Sequence, residues 1–277
     1  MTEAGASTLV VALAILGDHG HDFREYAPDV VQRRFVEHVA SLPHLTSDQL
    51  LERLRGDASA RERLSEALVV STSQFFRYVE LFQVLREQVV ARLGRAAIGP
   101  LRVWVAGAAT GEEAWSMAMV LAEAEARGGA PWEVIASDRS ASSLARARLG
   151  RYDRVEAASI PSELRGEYTV PHVDGFEVAP ALRSRVRFCH HDLLGPSLAP
   201  PEAVLARFDL VLCCNVLIYL ARHLQVRLIE RLCSVVAPGG ALALGAHERP
   251  APGLATRLRR FPGVAPAINL FAIAEVP

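Results

Sequence analysis

The sequence contains no lysine, so all 30 of its basic residues are arginine. This absence excludes any reaction that needs a catalytic or Schiff-base lysine. Neither sign of charge predominates, because the 30 basic residues face 31 acidic ones and the formal net charge is -1. A chain without a strong overall field is not drawn to nucleic acid or to anionic lipid. We therefore expect neither as a partner.

Cysteine is scarce, and a long apolar run is missing. The four cysteines are Cys189, Cys213, Cys214 and Cys233. They do not form the paired C-x-x-C motifs that bind zinc. They predict reduced, buried thiols in a cytoplasmic protein without a metal site. The apolar run at 8–16 is shorter than the roughly 20 residues that cross a bilayer. It has no basic leader before it, so we expect the first helix of the fold there and not a signal peptide.

The first 90 residues have the spacing of amphipathic helices, and the pattern changes after Pro100. Helices are predicted over 29–40, 47–54, 60–69 and 75–93. Short buried strands are predicted over 101–106, 132–137, 208–214 and 241–245. The intervening helices are predicted over 111–126, 140–149 and 221–236, the last ended by Pro238-Gly-Gly240. This alternation is typical of a parallel sheet with helices on both faces.

Residues 151–194 interrupt the alternation. Short apolar stretches at 176–180 and 185–188 suggest strands of a small inserted sheet. We expect residues 185–189 to continue into the main sheet, and residues 267–274 to form a closing strand.

The loop after the first strand is rich in small residues, and ligands of a doubly wound sheet bind at the carboxyl ends of its strands. The loop lacks both the G-x-G-x-x-G pattern and the Gly-Lys-Ser/Thr of a phosphate loop. Gly111 opens the next helix, and Glu112 and Glu113 follow it. These two carboxylates either complement the helix dipole or attract a cation. The loop therefore suits a positively charged nucleoside ligand such as S-adenosylmethionine.

Polar side chains follow the other strands. Asp138 either accepts hydrogen bonds from ribose hydroxyls or caps the helix that follows. Asp192 is a candidate acceptor for an exocyclic adenine amine, and the histidine pair before it has no third metal ligand nearby. Asn215 and Tyr219 lie beyond the strand at 208–214, where a tyrosine is either packed or catalytic.

Several stretches occur in one order along nearly the whole chain, and two of them, Thr110-Gly-Glu-Glu113 and Asn215-Val-Leu-Ile-Tyr219, are specific. The full set lies at 73–77, 103–116, 136–138, 145–152, 192–194, 208–219, 238–240 and 245–248. This order resembles the chemotaxis receptor methyltransferase (CheR) family, which consists of S-adenosylmethionine-dependent protein-glutamate O-methyltransferases.

The resemblance implies an all-α N-terminal domain over 1–90 that docks the substrate. It implies an α/β, Rossmann-like class I methyltransferase domain over 91–277, with a small antiparallel β-subdomain near 152–187. It implies S-adenosylmethionine as cofactor, S-adenosylhomocysteine as product, and Arg77 and Tyr219 at the reaction centre. The implied cofactor contacts are Ser71, Ser73, Arg77, Gly107, Glu113, Asp138, Asp192, Leu193, Cys214 and Asn215.

The chain departs from the family pattern at several of these positions. The family usually has Asn-x-Thr where this chain has Ser71-Thr-Ser73. It has Asn at the position of Asp192 and Arg at the position of Cys214. The last change removes a positive charge beside the expected site.

The resemblance implies methyl transfer to glutamate carboxylates of a chemoreceptor, which tunes chemosensory adaptation. We expect a cytoplasmic monomer that docks on the receptor's methylation helices. One alternative is a methyltransferase of the same fold that acts on another protein or on a small carboxylic acid. Another is a weakly catalytic module that binds S-adenosylmethionine and signals by protein contact.

The N-terminal region carries arginines that form either a solvated helical face or a basic docking surface. They are Arg33, Arg34, Arg53, Arg55, Arg61 and Arg63.

Overall fold

The computed structural model of the chain describes residues 3–24, 26–42, 44–68, 73–97, 99–203, 207–254 and 258–273. The chain divides into two compact units. Unit 1 comprises Met1–Val70 and Ile218–Leu224, and unit 2 comprises Ser71–Leu217 and Gln225–Pro277. The sequence predicts a boundary at residue 90, whereas the units divide after residue 70. The difference arises because residues 75–93 pack their apolar side chains into the core of unit 2.

Unit 1 is built on helices α1 (Glu3–Asp18), α2 (Pro28–Ala40), α3 (Ser47–Gly56) and α4 (Ala58–Leu68). Their apolar stripes meet in one core that includes Leu16, Phe35, Leu54 and Leu64. A capping box begins α3: the Thr46 hydroxyl accepts from the N–H of Gln49, whose side chain accepts from the N–H of Thr46. Among the described residues, no helix combines the length and apolarity that a bilayer crossing needs.

The helix predicted over 75–93 begins later than expected. Unit 2 opens with α5 (Val79–Val84), a π-helical turn (Leu85–Val89) and α6 (Val90–Ala96), whereas residues 75–78 are not helical. The ring of Phe75 packs edge-on against Tyr152, with centroids 4.9 Å apart. The N–H of Phe76 donates to Ser116 Oγ at 3.0 Å, and Phe76 has a φ of 49°. These tertiary contacts override the helical spacing of the sequence.

The rest of unit 2 alternates strands and helices. The helices are α7 (Glu112–Ala126), α8 (Ala141–Leu149), α9 (Ser162–Tyr168), α10 (Pro180–Arg183) and α11 (Arg222–Val235). The strands are β1 (Leu101–Ala106), β2 (Trp132–Asp138), β3 (Arg151–Asp153), β4 (Thr169–His172), β5 (Gly175–Val178), β6 (Val186–His190), β7 (Phe208–Cys213), β8 (Val236–Leu244), β9 (Leu258–Arg260) and β10 (Leu270–Ile273).

Seven of these strands form one sheet in the order β6-β2-β1-β7-β8-β10-β9. The pairs from β6 to β8 are parallel, and β10 is antiparallel to both of its neighbours. The central strands β1 and β7 are almost wholly buried, which explains why they read as continuous apolar runs. The predicted fold class, an α/β sheet of the Rossmann-like methyltransferase type, is confirmed.

Two details of the main sheet differ from the predictions. Residues 238–240 were expected to end a helix, but they lie inside β8, whose first residue already pairs with Phe208 of β7. Strand β9 was not predicted, because three residues are too few to show a periodic pattern.

The insertion between α8 and β6 contains the predicted antiparallel subdomain. Its three strands follow the order β3-β5-β4, and α9 lies between β3 and β4 in the chain. Gly175 begins β5, where a Cβ atom would come within 2.0 Å of the carbonyl oxygen of Tyr152. Only glycine fits this close approach of the paired strands.

Candidate active site

The carboxyl ends of β1, β2 and β7 and the segment 73–78 all belong to unit 2. Among the described residues, three non-glycine residues have a positive φ: Phe76 (49°), Ala109 (45°) and Asn215 (62°). Each one lies within two positions of a predicted site residue. Backbone strain of this kind persists where the surroundings enforce it, and it concentrates at functional sites.

The loop after β1 is folded against the end of β2. The N–H groups of Gly107 and Ala108 both donate to the carbonyl of Ser137 at 2.9 Å. The N–H of Ala109 donates to Asp138 Oδ2 at 2.8 Å. A Cβ on Gly107, whose φ is 79°, would come within 2.4 Å of Val216 Cγ2. The predicted contacts Gly107 and Asp138 therefore lie on directly bonded segments.

Asp138 is a buried carboxyl that organises backbone. Its Oδ1 accepts from the N–H of Ser140 at 2.8 Å, and burial raises its pKa. The alternative that Asp138 caps α8 is wrong, because Ser140 is the N-cap and its hydroxyl accepts from the N–H of Ser143. A carboxylate has more lone pairs than the two used here, so the predicted contact with ribose hydroxyls stays a prediction.

The two acidic residues that begin α7 are buried, not solvated. Glu112 is 2% exposed and accepts hydrogen bonds from the Thr110 hydroxyl, and burial raises its pKa. Glu113 is 9% exposed, and its N–H donates to Ser73 Oγ at 3.3 Å. The Ser73 hydroxyl thus supplies a helix cap that Gly111, the N-cap residue, cannot provide.

Glu113 is the most perturbed acidic group at this edge of the sheet. Burial raises its pKa to about 8, and the negative charge of Glu248 acts in the same direction. A hydrogen bond with the Cys214 thiol and the positive charge of Arg77 oppose this rise. A buried acid at this pKa exchanges its proton near neutral pH and is ready to pair with a cation.

Cys214 and Asn215 follow β7. Cys214 is 7% exposed and hydrogen-bonds to Glu113, and burial raises its pKa well above the usual value. All four cysteines of the chain are free and buried. The side-chain oxygen of Asn215 accepts from the Tyr78 hydroxyl at 2.6 Å. This bond joins the segment after β7 to the segment that carries Arg77.

Arg77 is exposed, and its guanidinium lies 5.8 Å from the centroid of the Tyr78 ring. It is the one charged side chain of segment 73–78. Ser71, another predicted cofactor contact, lies outside the described residues.

The segment after β6 carries Asp192 and Leu193. Asp192 is exposed and its Oδ1 accepts from the N–H of Leu194 at 2.9 Å, while Leu193 is half-buried. The N–H of His191 donates to the carbonyl of Asp138 at 3.0 Å, so the ends of β6 and β2 are tied together. The His191 ring is buried, and its pKa is lowered by that burial.

Tyr219 belongs to the part of the chain that packs with unit 1. Its side chain is half-buried, and its carbonyl oxygen accepts from the N–H of Ala27 at 2.9 Å. The next residue, Leu220, forms an isolated antiparallel bridge with Tyr26. The predicted role of Tyr219 at the reaction centre stays a prediction.

Sequence reasoning missed Glu248. Its carboxylate is 2% exposed and accepts from the N–H groups of Asn215 (2.9 Å), Leu217 (2.7 Å) and Gly245 (2.7 Å). The only sequence signal was the matching stretch at 245–248, which gave this residue no role. Two of these three bonds span more than 30 residues of sequence, so no local pattern indicates them.

The polar groups at this edge have a consistent chemistry. Carboxyl groups of Glu113, Asp138 and Asp192 are acceptors for an ammonium group, hydroxyl groups or an amine. Arg77 is a donor for a carboxylate, and the loop at 106–111 carries no basic side chain for a phosphate. This donor set fits S-adenosylmethionine. Within the described ranges, no group of three or more His, Cys, Asp or Glu side chains is placed to hold a metal ion.

The sheet order and the small-residue loop at its carboxyl edge define a class I methyltransferase. The chain matches the family model described as CheR methyltransferase, SAM binding domain, over residues 71–260. The chain therefore belongs to the CheR methyltransferase family, and its cofactor is S-adenosylmethionine.

Named relatives cover most of this chain. It is 30% identical over 240 residues to the chemotaxis protein methyltransferase of Salmonella typhimurium, with 84% of this chain and 78% of that protein covered. It is 33% identical over 230 residues to the probable biofilm formation methyltransferase WspC of Pseudomonas aeruginosa, with 83% and 54% covered. It is 34% identical over 234 residues to an uncharacterized 104.1 kDa protein of Rhodobacter capsulatus, with 82% of this chain but 24% of that protein covered. The chain thus spans about half of WspC and about a quarter of the Rhodobacter protein.

Proposed function

We propose that this protein transfers the methyl group of S-adenosylmethionine to glutamate carboxylates of a chemoreceptor. The observation that carries the proposal is a buried acid at the start of α7, Glu113, on which the charge of an exposed arginine, Arg77, acts. The name of the Salmonella relative, a chemotaxis protein methyltransferase, supports the receptor as the acceptor.

The reaction needs no general base. A free glutamate has a pKa of about 4.3 and is already ionised near neutral pH. The bound cofactor supplies a methyl group attached to a positively charged sulfur. The protein contributes position and desolvation, because a carboxylate reacts fastest when it is aligned with the methyl group and stripped of water.

Arg77 orients a carboxylate through its planar guanidinium, either that of the incoming glutamate or that of the cofactor's amino acid moiety. Once the Glu113 carboxyl has lost its proton, it binds the ammonium group of the cofactor. Asp138 holds ribose hydroxyls, and Asp192 accepts from the adenine amine. In this proposal the Tyr219 hydroxyl fixes the second oxygen of the substrate carboxylate.

The test is methyl transfer from radiolabelled S-adenosylmethionine to receptor fragments or membranes of the source organism, followed by alkali treatment. Base-labile label on a receptor-sized band is the expected result, because carboxyl methyl esters hydrolyse in alkali. Absence of such a label, with cofactor binding still measurable by calorimetry, contradicts the receptor as substrate.

A second candidate is methylation of a different signalling protein. The similarity to WspC, a relative named for biofilm formation, favours it. Incubating a lysate of the source organism with labelled cofactor distinguishes the two. A base-labile band of another size, with receptors unlabelled, supports the second candidate.

We propose that unit 1 docks the substrate, and the contacts of its arginines identify the side chains to test. Arg34, Arg53, Arg61 and Arg63 bond to other groups of unit 1. Arg33 and Arg55 are exposed, and neither side chain forms a hydrogen bond or an ion pair with another described residue. These two are therefore the side chains most available to an acidic partner surface.

Reversing both charges, in Arg33→Glu with Arg55→Glu, is expected to raise KM for the receptor about tenfold. Rim charges act mainly on association, so the effect should weaken with added salt. The affinity for S-adenosylmethionine should stay unchanged. The matched control is Arg95→Glu with Arg259→Glu, two exposed arginines of unit 2. Equal KM changes in both double variants would place docking elsewhere.

A further inference from the structure

A second buried polar residue, Asn269, holds the turn that carries Glu248. Asn269 precedes β10 and is 4% exposed. Its side-chain amide donates to the carbonyl oxygens of Gly245 (2.8 Å), Ala246 (3.2 Å) and Glu248 (2.8 Å). The backbone carbonyl oxygen of Asn269 accepts a hydrogen bond from the N–H of Leu244 at 2.8 Å. Asn269 therefore fixes the turn at 245–248 on the end of β8.

Glu248 extends from this fixed turn to the segment that follows β7. Its bonds to the N–H groups of Asn215 and Leu217 hold that segment from both sides of Val216. Asn215 has a left-handed φ of 62°, a conformation that a non-glycine residue keeps only when its neighbours enforce it. Hydrogen bonds to a buried carboxylate provide this enforcement, because charge-assisted bonds are strong in a dry environment.

The same bonds reach the segment that carries Arg77. A Cβ on Gly245 would lie 2.7 Å from Glu248 Oε2, 2.9 Å from the Tyr78 hydroxyl and 3.1 Å from the N–H nitrogen of Asn215. All three groups therefore meet at one point beside a glycine. Because the Tyr78 hydroxyl also donates to Asn215, a shift of Asn215 is transmitted to residue 78.

Glu248 also acts through its charge. The groups that influence Glu113 electrostatically are the thiol of Cys214, the carboxylate of Glu248 and the guanidinium of Arg77. The groups on which Glu248 acts are Tyr78, Glu113, Cys213 and Cys214. Two buried carboxyl groups thus influence each other, and Arg77, the cation that acts on Glu113, has an exposed side chain.

We propose that Glu248 and Asn269 are positioning residues of the cofactor site. Asn269 holds the turn, and from that turn Glu248 holds the segment with Cys214 and Asn215. Neither residue needs to touch the cofactor. This inference rests on the proposed cofactor contacts of Glu113 and Asn215.

The experiment measures the dissociation constant of S-adenosylmethionine by calorimetry on the whole chain. The pH range is about 6 to about 9, which brackets the Glu113 pKa of about 8. The variants are Glu248→Gln, which removes the charge, and Asn269→Ser, which removes the amide but keeps the charge. The control is Glu123→Gln. Glu123 forms ion pairs with Arg86 and Arg127, so this variant also loses the interactions of a carboxylate, but at a place that has no bond to the candidate site.

Glu248→Gln is expected to weaken binding about tenfold at the alkaline end of the range, because the support of Asn215 is lost. It should also lower the pH midpoint of binding by about one unit, because a like charge no longer opposes ionisation of Glu113. Asn269→Ser should weaken binding several-fold and leave the midpoint in place. A purely structural role would not move a pH midpoint, and Glu123→Gln should change neither quantity.

Binding by Glu248→Gln within about twofold of the wild type, or an unmoved midpoint, would overturn the inference. Should Glu248→Gln fail to fold, Asn269→Ser decides, and unchanged affinity there overturns it. The readout does not depend on any methyl acceptor, so an error about the receptor leaves it intact. Failure of the wild type itself to bind would remove the cofactor site and this inference together.

Discussion

Replacing Arg77 with alanine is expected to lower kcat/KM for methyl transfer by about a hundredfold. The loss corresponds to removal of one charge-assisted, two-pronged contact to a carboxylate, which contributes about 3 kcal/mol. Arg77 is exposed, lies beside the ring of Tyr78 and acts on Glu113 through its charge, so its removal breaks no side-chain hydrogen bond among the described residues. The melting temperature should therefore remain close to that of the wild type.

Replacing Arg77 with lysine separates the effect of the positive charge from the effect of the planar guanidinium. Arg77→Lys keeps the positive charge but loses the planar fork, so it should recover only part of the rate. A matched control is Arg92→Ala, because the Arg92 guanidinium lies 5.0 Å from the centroid of the Phe261 ring and has no predicted role. A rate for Arg77→Ala within about threefold of the control would remove Arg77 from the mechanism. A large increase in KM for the cofactor, with kcat unchanged, would assign the guanidinium to the cofactor carboxylate.

The elements of the main sheet could be predicted from the sequence because their burial is uniform. Strand β1 was expected over 101–106 and spans Leu101–Ala106, and β7 was expected over 208–214 and spans Phe208–Cys213. Strands covered on both faces contain continuous apolar residues, which a sequence displays directly. The edge strand β9 has one buried and two exposed residues and gave no such signal.

The loops of the candidate site could be located from the sequence, but their contacts could not. The Ser73 hydroxyl caps α7 from 40 positions away, and Tyr78 bonds Asn215 from 137 positions away. No periodicity encodes such bonds, because they depend on how separate elements pack. For the same reason the sequence extended a helix through Phe75 and Phe76, whose backbone is fixed by contacts with Tyr152 and Ser116.

Replacing Glu113 with glutamine is expected to stabilise the protein and to weaken its binding of S-adenosylmethionine. Burial raises the pKa of Glu113 from 4.5 to about 8, so folding favours its protonated form. The unfolded chain binds fewer protons at this group between those values, and stability falls as pH rises through that window. Glutamine resembles the protonated acid and carries no charge, so its stability advantage should grow from about pH 4.5 to about pH 8 and then level off.

The affinity for S-adenosylmethionine should change in the opposite direction to the stability. If the ammonium group of the cofactor pairs with ionised Glu113, binding must release a proton below pH 8, and wild-type affinity should rise about tenfold per pH unit until it levels off. Glu113→Gln should bind about tenfold to a hundredfold more weakly above pH 8, with little pH dependence. Thermal melting and calorimetry across the same pH series measure both effects.

Glu112→Gln is the matched control, because Glu112 is the neighbouring buried acid and accepts hydrogen bonds from the Thr110 hydroxyl. It should leave the pH dependence of binding intact. Equal affinity of Glu113→Gln and the wild type at alkaline pH would mean that Glu113 is a buried structural acid and not a cofactor ligand. A gain in stability together with a loss of affinity would instead indicate that the fold keeps an unfavourable buried carboxyl group because the cationic cofactor needs it. This exchange of stability for binding is expected at a functional site, since the burial of Glu113 disfavours a carboxylate there.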